Sequence, residues 1–164
     1  MKFTIPVPIK ILAMCLAATA FYTYIGQLVP QKEVLPPEET LFTDEMTTDE
    51  LVQIGLGIAG GKGLCFTCHT VGKSGALRFP DLDGIAVTAE TRIAEMGGLQ
   101  YLAQSIYEPD IFIVKGFNPG MPAIHKPPIG LTDQEILSVI AYLQSLGGTP
   151  TITLETTLAD LGRE

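Results

Sequence analysis

The feature that most constrains this chain is an uncharged run near its N-terminus. From Ile11 to Val29 the sequence reads ILAMCLAATAFYTYIGQLV, nineteen residues without an acid or a base. As a helix such a run spans roughly 28 Å, about the thickness of a bilayer's hydrocarbon core. Lys2 and Lys10 precede it, and all 18 acidic residues follow it. Bases on the leading side favour a cytoplasmic N-terminus and an exported remainder. Phe21, Tyr22 and Tyr24 fall near the exported end, where aromatic rings suit the interface. Three fates compete: a retained signal anchor, cleavage after Ala18-Thr19-Ala20, and lipidation at Cys15. The anchor is preferred because apolarity runs on past Ala20, and Met14 stands where a small residue should precede a lipidated cysteine. The expected location is the inner membrane, crossed once, with the rest of the chain on the periplasmic side.

The 164 residues divide accordingly: an anchor over 1–29, an acidic proline-rich linker over 30–47, a folded domain over 48–148 and a tail over 149–164. Thr48 is expected to cap a helix that starts at Asp49-Glu50 and carries Leu51, Ile54 and Ile58 at helical spacing. Short helices are expected over Thr88–Glu95 and Leu99–Tyr107, the latter stopped by Pro109. Residues 116–130 hold four prolines and three glycines, a constrained irregular loop. The strongest helix is Asp133 to Leu146, opened by a Thr132/Glu135 capping box and ended by Gly147-Gly148. No stretch alternates like a strand, so the domain is mainly α.

Between the first helix and the loops stands Cys65-Phe66-Thr67-Cys68-His69. C-x-x-C-H is the attachment signature for c-type haem. Two thiols three positions apart can form thioethers to the two vinyl groups on one porphyrin edge, and the adjacent imidazole then falls under the iron. A redox dithiol or half a zinc site uses the same cysteines. Zinc needs two further ligands, and only Cys15 and His125 remain. A thioredoxin-like dithiol needs a βαβ setting that this sequence lacks.

For a second axial ligand the sequence offers Met121 and His125. Met121 sits in Gly116-Phe117-Asn118-Pro119-Gly120-Met121-Pro122, a loop stiffened by two prolines, which presents one side chain rather than packing a stripe. Histidine with methionine raises the potential, whereas two histidines would lower it. Met96 is a poorer rival, since it lies just before Gly97-Gly98 at the end of an expected short helix.

With these residues in their order, the chain resembles the class I cytochromes c over roughly 48–148. The resemblance implies a mainly α fold of three to four helices around one covalently bound haem c, here with an N-terminal transmembrane helix. It implies Cys65 and Cys68 as attachment residues and His69 and Met121 as iron ligands. Pro80 matches the proline whose carbonyl receives the ligand histidine's distal N–H. Tyr142 matches an aromatic of the last helix that crosses a glycine of the first, Gly55 or Gly57. Phe79, Leu82, Ile85, Leu102, Ile106, Ile113 and Ile140 are candidates for the apolar haem wall. Anchored single-haem chains of this kind are similar to the small haem subunits of bacterial respiratory complexes.

The function expected is single-electron transfer by a membrane-anchored cytochrome, as a subunit of a respiratory or photosynthetic electron-transport complex rather than an enzyme in its own right. Its expected partners are redox proteins and the other subunits of that complex. Ala13, Ala17 and Ala20 share one helix face, suited to packing against other membrane helices. A net charge of −8 argues against nucleic acid as a partner and suits salt-sensitive docking to a basic one. The alternative is a haem enzyme or gas sensor with an open or His125-ligated iron, with Arg78 or Arg92 as a distal group.

Overall fold

The computed structural model describes residues 5–30, 42–43 and 45–163, in two compact units. Most of the expected linker lies outside the described residues. The first unit holds one helix, α1 (Val7–Leu28), with every side chain exposed. It is long and apolar enough to cross a membrane. It starts four residues before the uncharged run, because Pro6 cannot donate a backbone hydrogen bond but its carbonyl can accept from Ile9 and Lys10.

The second unit contains four α-helices and a single 3-10 turn, and no strand among the described residues: α2 (Thr48–Gly60), the turn Cys65–Thr67, α3 (Ile85–Arg92), α4 (Gly98–Tyr107) and α5 (Asp133–Ser145). Thr47, not Thr48, caps α2. Its side chain accepts from Glu50 N while its own N–H donates to the Glu50 carboxylate at 2.7 Å. Only from Thr47 does Glu50 stand at the third helical position that this reciprocal pairing needs. Thr48 instead donates its hydroxyl to the Ile152 carbonyl, 3.0 Å away. The short helix expected over Thr88–Glu95 begins earlier, at Ile85, because the turn Ile85 N→Leu82 O already winds the chain there.

Helices α2 and α5 pack directly on each other, and α3 packs on α4. At the α2–α5 crossing stands Gly55. A Cβ there would collide with the Ser138 carbonyl and come within 3.0 Å of Tyr142 Cβ. The same test finds open space at Gly57, so Gly55 is the crossing glycine. Helix α5 is buried on nearly every side, with Ile136, Val139 and Ile140 at the centre of the core. Its Thr132–Glu135 box forms as expected. Glu135 also takes the Lys62 ammonium at 2.8 Å, which ties the chain just before the cysteines to the start of α5. Burial works to raise the Glu135 carboxyl, but hydrogen bonds from Lys62 and Thr132 hold it below its usual value.

The C-terminal residues fold back on this frame. Ile152 and Leu161 are fully in the core. Gln144 of α5 clasps Thr151 by two hydrogen bonds of 2.9 Å, and Arg163 lies over the Tyr107 ring while pairing with Glu108.

Candidate haem site

One apolar cavity of about 260 Å³ opens between the 3-10 turn, α3, α4, α5 and the proline-rich loop. The 3-10 turn carries Cys65 and ends at Cys68, and the His69 N–H closes it by donating to Cys65 O at 2.8 Å. Both thiols and the His69 ring therefore reach the same wall of the cavity. Neither cysteine is in a disulfide. Burial pushes the half-buried Cys65 thiol above its ordinary pKa, whereas Cys68 is exposed.

The His69 ring is held from behind. Its Nδ1 lies 2.8 Å from the Pro80 carbonyl. A carbonyl can only accept, so Nδ1 carries the proton and Nε2 is left with a free lone pair. Phe79 stands beside the ring, 6.3 Å between centroids, and Arg78 lies over Phe79.

Met121 lines the cavity too, partly buried against the core and flanked on the lining by Pro119, Gly120 and Pro122. Gly120 has φ +137°, a backbone conformation that side chains oppose, so the turn that presents Met121 depends on glycine. His125 does not reach the lining. Its ring packs on Tyr107, 5.1 Å between centroids, and its Nδ1 is buried without a partner. Met96 is likewise off the lining, packed against the core.

Of the expected wall, Phe79, Leu82, Ile85, Leu102, Ile106 and Ile113 line the cavity. Ile140 does not: it is fully buried in the core behind Val139, Tyr142 and Leu143, which take the cavity side of α5. Sequence reading missed Tyr101, Phe112 and Phe117 on the lining; for the last two, their nearness to Pro109 and Gly116 was the available signal.

The residues present fit a haem. A large apolar group is required to fill such walls, and two thiols at the attachment spacing meet its edge. Arg92 supplies a separate indication. It lines the cavity, and its Nε is buried without a hydrogen-bond partner. A buried N–H needs an acceptor, and the haem's carboxylates would provide one. By contrast, no group of three His, Cys, Asp or Glu side chains able to hold a metal ion occurs among the described residues. Completion of a zinc site by His125 has no geometric support.

Comparison with curated proteins finds no match. The profile of the cytochrome c family matches residues 61–147, from just before Cys65 to just past the end of α5. That span exceeds half of the chain and contains the 3-10 turn, α3, α4, α5 and the proline-rich loop, which build most of the cavity wall. The chain therefore belongs to the cytochrome c family: it is a class I c-type cytochrome, an electron carrier with covalently bound haem c.

Proposed function

We propose that this cytochrome works tethered to the inner membrane by α1, on the exported side, passing single electrons through an iron held by His69 and Met121. One observation carries the ligand assignment: both side chains lie on the lining of the apolar cavity that also holds the two thiols. His125, the rival, is turned against Tyr107. When bound, the haem supplies an iron that cycles between the ferrous and ferric states at little structural cost. The chain's own residues do the rest. Cys65 and Cys68 fix the group. Pro80 holds the His69 proton on Nδ1, which keeps Nε2 aimed and basic. Leu82, Ile85, Leu102 and Ile106 exclude water and keep the local dielectric low. A methionine thioether favours the ferrous state and so a high potential.

A role as one subunit of a respiratory or photosynthetic complex is supported by α1, whose Ala13, Ala17 and Ala20 form a small-residue face suited to neighbouring membrane helices. The net charge of −8 supports docking to a basic redox partner, weakened by salt.

Membrane-purified protein should display, in its oxidised form, the long-wavelength charge-transfer band that the family resemblance attaches to methionine ligation. Met121→Ala should abolish that band and let the reduced protein bind carbon monoxide; His125→Ala should leave both unchanged. Absence of the band in the wild type, with no carbon monoxide binding until His125 is replaced by alanine, would instead assign the iron to two histidines and a low-potential carrier.

A further inference from the structure

The histidine side of the site contains one group that the ligand assignment does not use. Asp81 follows Pro80 directly, and its carboxylate accepts four hydrogen bonds. Oδ2 takes the Thr70 hydroxyl and the Lys73 N–H, the latter at 3.0 Å; Oδ1 takes the Gly72 and Asp83 N–H groups, both at 2.9 Å. Three of these donors lie in the segment just after His69, and the fourth lies just beyond Asp81 itself. A backbone bond, Leu82 N→Thr70 O at 2.8 Å, closes the same junction. Thr70 is covalently next to the donor of the His69–Pro80 bond. The Pro80 carbonyl and the Asp81 N–H share one rigid peptide plane. Whatever fixes Asp81 and Thr70 therefore fixes both ends of the 2.8 Å bond on His69.

We propose that Asp81 is a positioning residue for the haem's histidine ligand: its carboxylate joins the loop after His69 to the turn that carries Pro80, and so sets the direction and strength of the His69–Pro80 bond. The proposal rests on the reading of His69 as an iron ligand. Four donors on one carboxylate also hold the Asp81 carboxyl well below the usual carboxylate range, with the Thr70 hydroxyl contributing most. The clamp is thus ionised throughout the neutral range. A firm bond from Nδ1 to the carbonyl makes the imidazole a stronger donor to iron and favours the ferric state. Loosening the clamp should raise the midpoint potential.

The test uses full-length holoprotein in detergent, with two readouts: the midpoint potential and the exchange rate of the His69 Nδ1 proton in the reduced form by NMR. Asp81→Ala should speed that exchange by about tenfold or more, the scale at which outer partners of metal ligands act, and raise the potential. Removal of a negative charge would raise the potential by itself, so Thr70→Val is the discriminating variant. It deletes one clamp bond without changing charge, and should move both readouts the same way by less. Glu135→Gln, which weakens the fold elsewhere, should move neither. If Asp81→Ala yields no holoprotein, Thr70→Val alone decides. Unchanged Nδ1 exchange in Thr70→Val overturns the proposal and leaves Asp81 a loop staple. Absence of iron-shifted His69 ring signals in the oxidised wild-type protein would overturn the ligand reading and the proposal with it; their presence beside silent variants sinks only the role of Asp81.

Discussion

The two sides of the haem cavity are built by different means. The His69 side is a lattice of hydrogen bonds: the Pro80 carbonyl on the ring, the Thr70–Leu82 backbone bond, and four donors on Asp81. The Met121 side has almost none. Between the Phe117 N→Val114 O turn and the Lys126 N→Ala123 O turn, no backbone hydrogen bond among the described residues pins residues 118–122. Prolines 119 and 122 reduce the freedom of that stretch, and packing of Met121 against the core does the rest. A hydrogen-bonded arm resists reorientation of the side chain it presents. A packed arm holds its side chain only while the core behind it is intact.

The largest effect should therefore come from mild denaturant. The methionine charge-transfer band should vanish while the far-ultraviolet helix signal stays native, because segments with few hydrogen bonds open first. Coincident loss of both signals would mean that the two arms are equally firm. Next in size is Gly55→Ala. The α2–α5 crossing supports both arms, and the added Cβ meets backbone at Ser138, so stability should fall by about 3 kcal/mol. The gap between band loss and helix loss should stay open as both shift together; a change in Met121 ligation alone would tie the crossing to one arm. The smallest effect is expected from Glu135→Gln, about 1–2 kcal/mol in chemical denaturation, since Lys62 keeps partial access to water. Its pH signature has a defined sign. The folded Glu135 pKa lies below the unfolded one, so its contribution is full above the unfolded value of about 4.3 and fades as pH falls through the folded value. The difference in stability between wild type and Glu135→Gln should shrink on acidification; a constant difference would mean that the carboxylate charge plays no part.

What could be read from the sequence was local. The spacing of Cys65, Cys68 and His69 is fixed within five residues, and the prolines on either side of Met121 mark a loop that brings it to the cavity lining. The Thr132/Glu135 box is a four-residue signal and forms as written. The α2 cap was displaced by one because Thr47 and Thr48 are neighbours and only geometry shows which faces Glu50. Ile140 was misassigned to the haem wall for a different reason. When a helix is buried on nearly all sides, its apolar periodicity no longer tells cavity from core. Contacts between distant parts of the chain left no trace in the pattern. Lys62 and Glu135 are 73 residues apart. Ile152 and Leu161 enter the core from a stretch rich in threonine, with no periodicity to announce them. The orphaned Arg92 Nε is visible only once the cavity exists.

The docking of α5 against α2 has a consequence for the order in which this protein is made. Tyr142 and Leu143 form part of the cavity wall, yet they leave the ribosome more than seventy residues after Cys68. While the chain emerges N-terminus first, both cysteines stand open and the apolar walls are incomplete. Arrival of α5, locked in turn by the Gln144–Thr151 clasp, completes those walls. A large apolar group enters such a cavity more readily before the last helix seats, and the placement of the motif near the start of the domain lengthens the interval in which it can.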